Sequence, residues 1–79
     1  MIEELDTVVL TRDVPEKGLL AGDVGSVVHV HQQGEAFEVE FVTAQGKTVA
    51  LLTLPASDVR PQREREIMHV REWAERLSA

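Results

Sequence analysis

Four apolar residues in a row, Val49-Ala50-Leu51-Leu52, constrain this chain more than any other stretch. They belong to a run, Lys47 to Leu54, that reads as a β-strand, and successive strand residues point to opposite faces. Apolar groups therefore face both ways. A chain of 79 residues makes one small domain with one core, so it buries only one of those faces by itself. The other face, carrying Val49 and Leu51, needs a cover.

The neighbouring runs set the fold class. Phe37 to Val42 alternates Phe37, Val39 and Phe41 against Glu38 and Glu40, the pattern of a strand with one buried face. Asp6 to Leu10 and Val24 to His31 are β-branched runs, and Asp58 to Arg60 is long enough for a short closing strand. Pro15, Gly18 and Gly22 place a turned loop over Arg12 to Gly22; Gln32-Gln33-Gly34, Thr43 to Gly46 and Pro55-Ala56-Ser57 mark the other breaks. Five short strands at tight spacing predict a small antiparallel barrel over residues 1–60. Gly22-Asp23-Val24-Gly25-Ser26-Val27-Val28 reads as an SH3-like or KOW-like entry, with a glycine where two stretches of backbone cross closely.

From Pro61 the period changes. Ile67, Val70, Ala74 and Leu77 recur at helical spacing, and with Trp73 they fall within an arc of about 120°. Pro61 suits the start of a helix. The spacing predicts an amphipathic helix over Gln62 to Leu77, roughly 24 Å long. Such a helix is marginal alone, so it is expected to dock on the barrel or on a partner. The expected fold is thus mostly β: a small SH3-like antiparallel barrel followed, in residues 61–79, by one C-terminal amphipathic α-helix. That helix is the nearest cover for the second face of Val49 to Leu52; a dimer mate or another protein is the next.

Charge narrows the partner. The net charge is -6, and residues 1–60 hold ten acids against four bases, while residues 61–79 hold four of each. Such a body repels phosphate backbones and attracts basic proteins. With two Phe, one Trp and no Tyr, it also lacks the stacking platforms of single-strand binders. Nucleic acid is therefore not the expected partner. There is no cysteine, which removes disulfides, thiolate metal sites and thiol nucleophiles. No apolar run reaches the ~18 residues of a membrane helix, and Met1-Ile2-Glu3-Glu4 lacks a signal-peptide start. The expected location is cytoplasmic, with no membrane contact.

The blocks Asp6 to Leu10, Arg12 to Leu19, Gly22 to Val28, Phe37 to Val42 and Leu52 to Ala56, taken in order, resemble the DUF4926 family of small bacterial proteins over about residues 4–61. The resemblance implies an SH3-like barrel and brings no catalytic residues with it. It also implies a setting beside small partner genes, in arrangements like toxin–antitoxin or immunity pairs.

Candidate chemistry is sparse. His29 and His31 lie two apart on one strand, about 6.6 Å by strand rise, and could hold Zn²⁺ or Ni²⁺ with Glu35 or His69 as third ligand. No other cofactor is implied. Glu38 and Glu40 share a face and suit docking of arginines better than acid–base catalysis. Thr11, Ser26 and Ser57 have no base partner at any telling spacing. The expected function is a non-enzymatic protein-interaction module. Its basic partner meets Glu35, Glu38 and Glu40, and Val49, Leu51, Ile67, Val70, Trp73 and Leu77 add apolar contact. A homodimer through the C-terminal helix is a second arrangement. The alternative is a KOW-like module on RNA or the ribosome, which requires Arg12, Lys17, Arg60 and Arg63 to form a basic cluster.

Overall fold

The computed structural model describes residues 1–74. Five strands form one antiparallel sheet: β1 (Thr7–Leu10), β2 (Val24–His31), β3 (Ala36–Val42), β4 (Thr48–Pro55) and β5 (Val59–Pro61). Their order is β4-β3-β2-β1-β5. Single 3-10 turns sit at Pro15–Lys17 and Ala56–Asp58. The strands fall where β-branched and alternating residues place them.

The expected barrel is not closed. β4 and β5 follow one another in the chain with only the Ala56–Asp58 turn between them, yet they form the two opposite edges of the sheet and do not pair. β5 is three residues long and commits them to β1, in the register Val8↔Pro61, Val9↔Arg60 and Leu10↔Val59. Pro61 carries no N–H, which further limits what so short a strand can bond.

One core fills the concave side. Val8, Leu10, Val27, Phe37, Val39, Phe41, Ala50, Leu54 and Val59 join Val14 and Leu19 from the long loop. Across β3 and β4 the inward partners are Phe37↔Leu54, Val39↔Leu52 and Phe41↔Ala50. Leu51 and Thr53, opposite Glu40 and Glu38, face outward. The register shifts between Phe41 and Val42, so Val42 pairs with Thr48 and Val49 is left over. Val49 packs against the core instead. Of the apolar run, Leu51 alone stays exposed, at 56%.

A second bulge bends β2. Val27 pairs with Val39 and His29 with Glu38, which leaves Val28 unpaired. The bulge turns His29 and His31 onto the outer face with Glu38. Simple alternation from Val27 would have put them in the core.

The C-terminal helix is absent. Residues 62–74 contain one turn at Glu64–Arg65 and otherwise run without helix or strand. Ile67 and Val70 are 93% and 90% exposed, so they form no packed stripe. Leu77 lies outside the described residues. What replaces the helix is a set of anchors spread across the domain. Five extended residues span about 16 Å, whereas five helical ones span about 7.5 Å. The chain runs without helix from its first anchor at Glu66 to its next at Arg71. Among the described residues no helix is long and apolar enough to cross a membrane.

Candidate functional site

The outer face of β2, β3 and β4 gathers Glu38, Glu40, Leu51, His29 and His31 of the residues singled out from the sequence. Glu40 accepts a hydrogen bond from Thr48 Oγ1 at 2.7 Å, and Glu38 accepts one from Thr53 Oγ1 at 3.1 Å. Each carboxylate is thus oriented by a hydroxyl one strand away. Leu51 sits directly across from Glu40. Glu35 is exposed in the β2–β3 turn, and its carbonyl accepts the Ala56 N–H.

His29 and His31 share this face, with ring centroids 4.5 Å apart in an edge-on arrangement. His31 Nε2 lies 3.5 Å from Glu38 Oε1, an ion-pair distance without hydrogen-bond alignment, and this buried nitrogen has no hydrogen-bond partner. His29 Nδ1 approaches Glu4 at 3.7 Å. Among the described residues no three His, Asp or Glu side chains are placed to hold a metal ion. His69, one proposed third ligand, lines the cleft under the tail instead.

The four bases of a KOW-like cluster are not all free. Arg12 Nε donates to Asp58 Oδ2 at 2.8 Å. Arg60 forms a two-point pair with Glu66, Nη1 to Oε1 at 3.1 Å and Nη2 to Oε2. Lys17 and Arg63 remain exposed. The Arg60 guanidinium, joined by the Arg63 backbone N–H, lowers the Glu66 carboxyl to about 2.

A second site was not foreseen. The loop from Thr11 to Asp23 is held by its own acids: Asp13 accepts the Ala21 N–H, and Asp23 Oδ2 accepts the Leu20 N–H, each at 2.8 Å. The tail reaches this loop. Arg71 Nε donates to Asp23 Oδ1 at 3.0 Å, Arg71 Nη2 donates to Asp23 Oδ2, and Nη2 also donates to the Gly18 carbonyl at 2.9 Å. Hydrogen bonding to Asp23 raises the Arg71 pKa beyond its already high ordinary value. Trp73 Nε1 donates to the Lys17 carbonyl at 3.0 Å, and its ring packs on the core. Between tail and sheet lies an open cleft of about 740 Å³ whose apolar lining includes Val24, Phe41, Val49, Met68 and Val70. The sequence signal was the spacing of Arg71 and Trp73, two apart, which share a face only in extended chain. Helical periodicity hid it.

Residues 4–61 match the family described as a domain of unknown function, DUF4926. The chain belongs to that family. No curated protein and no solved structure matches it. The DUF4926 segment ends at Pro61, the last residue of β5, so the sheet and the long loop fall inside it and the tail that lies against them falls outside.

Proposed function

We propose that this DUF4926 chain is a non-enzymatic protein-interaction module that binds a basic partner, as the antidote or adaptor half of a bacterial two-component pair. The supporting observation is the state of Glu38 and Glu40. They stand side by side on an open sheet face, oriented by the neutral hydroxyls of Thr53 and Thr48. Among the described residues neither is paired with Lys or Arg, whereas Asp23, Asp58 and Glu66 each hold an arginine. Two carboxylates fixed at strand spacing, with exposed Leu51 beside them, offer arginine side chains charge, geometry and an apolar contact together.

The test is co-purification from the native cell with nuclease present, comparing the unaltered chain with Glu38→Lys/Glu40→Lys. The expected result is one stoichiometric basic protein, lost as salt is raised and lost with the double substitution. Like charges brought together at an interface cost several kcal/mol, so affinity should fall by well over tenfold. An unchanged yield of partner from the double variant overturns the reading.

A further inference from the structure

We propose that the loop Lys17–Asp23 is a peptide-binding site for an extended segment carrying Arg-x-Trp, and that residues 70–74 are its occupant in cis. The loop offers three acceptors in fixed places: the Asp23 carboxylate and the carbonyls of Lys17 and Gly18. Arg71 satisfies two of them with a forked approach, and Trp73 satisfies the third through its indole N–H. Fork-to-carboxylate pairing is specific for arginine over lysine. The spacing of one residue between Arg and Trp selects extended chain, whose side chains alternate.

The fit is tight at Gly18. This residue has φ +71°, and a Cβ there would run into the Ala74 carbonyl and approach Trp73 Nε1 to 2.8 Å. The loop therefore leaves room at Gly18 for a chain to lie directly on its backbone. The acceptors also lie within the DUF4926 segment, whereas the occupant lies beyond it. The site is thus a property of the domain, and the tail is a ligand attached to it by residues 62–69.

Attachment by a short linker gives an effective concentration of about 1 mM. If the segment binds in trans with a Kd of about 100 μM, the cis tail weakens any competing peptide roughly tenfold. A partner bearing the motif must displace the tail. This inference rests on other contacts than the acidic sheet face: among the described residues the Glu38 and Glu40 carboxylates bond to Thr53 and Thr48, and neither forms a hydrogen bond or ion pair with the loop or the tail.

The probe is the pentapeptide Val-Arg-Glu-Trp-Ala, the sequence of residues 70–74, with a fluorescent label. It is titrated into the full chain and into the full chain with Arg71→Ala/Trp73→Ala, each checked for folding by circular dichroism. The expected result is affinity for the variant at least tenfold higher than for the unaltered chain, and its loss when Asp23→Asn is added. Failure to bind the folded variant, or equal affinity for both chains, overturns the proposal. A second readout serves if the variant does not fold. Trp73 is the chain's single tryptophan, so its fluorescence reports tail seating directly. Asp23→Asn should shift the emission to the red and raise acrylamide quenching at least twofold; unchanged emission and quenching overturn the proposal.

Discussion

Gly25 sits where a methyl group has no room. A Cβ there would lie 2.6 Å from Val39 Cγ1 and 2.9 Å from a Phe41 ring carbon. Both neighbours are core side chains with little freedom to give way. Gly25→Ala should therefore overpack the core and cost about 1–3 kcal/mol, read as a lower denaturant midpoint at unchanged slope. Gln33 gives the opposite case. It stands in the β2–β3 turn at φ +61°, next to Gln32 at +48°. A left-handed conformation costs an L-residue about 1–2 kcal/mol, part of which glycine returns in unfolded-state entropy. Gln33→Gly should stabilise the chain by about 0.5–1 kcal/mol in the same assay. The close crossing at Gly25 was legible from a glycine inside a valine-rich strand. That His29 and His31 share a strand face was legible from their spacing; the bulge at Val28 that turns this face outward was not, because no local pattern announces one.

At the scale of elements, all five strands were legible in outline, and the tail was not. β-branched runs and Phe/Glu alternation report the environment of a strand directly. Helical spacing in residues 62–77 reports only what a helix could bury, not whether anything is placed to receive it. Here the rival state wins through charge: Glu66 on Arg60 at one end, and Arg71 on Asp23 at the other. The first clasp has a pH signature. Glu66 ordinarily titrates at 4.5 and is lowered to about 2, chiefly by the side-chain hydrogen bond from Arg60. A lowered carboxyl favours the clasped state fully above its ordinary value, and that contribution drains away as pH falls from about 4.5 towards 2. Carboxyl carbon NMR should place the Glu66 midpoint near 2 in the intact chain and move it up towards 4.5 after Arg60→Ala, with the Arg63 backbone N–H still holding it somewhat below. A midpoint near 4.5 in both would mean that the clasp does not form in solution. The candidate site divides the same way. Glu38 and Glu40 could be placed by alternation alone, whereas Asp23 and Arg71, 48 residues apart, meet only through tertiary structure.

For the whole molecule, the consequence of an unclosed sheet is an eight-residue edge. β4 runs Thr-Val-Ala-Leu-Leu-Thr-Leu-Pro with no charge and a proline only at its last position. Its inner edge bonds to β3, and among the described residues no backbone group bonds to its outer edge between Thr48 and Leu54. Natural edges of this length usually carry lysine, proline or a bulge that discourages pairing with another chain. β4 has the bulge, opposite Phe41 and Val42, at one end only. Hydrogen exchange distinguishes this arrangement from a closed barrel. In an open sheet alternate β4 amides point away from β3 into solvent, so protection along Thr48 to Leu54 should alternate between slow and fast. The paired amides of central β2 and β3 should exchange only through global opening. A barrel closed by a β4–β5 seam would slow most β4 amides alike. Uniform protection along β4 would therefore show that this edge is covered in solution, by β5 or by a second chain, and dilution separates the two because only the second loses protection as concentration falls.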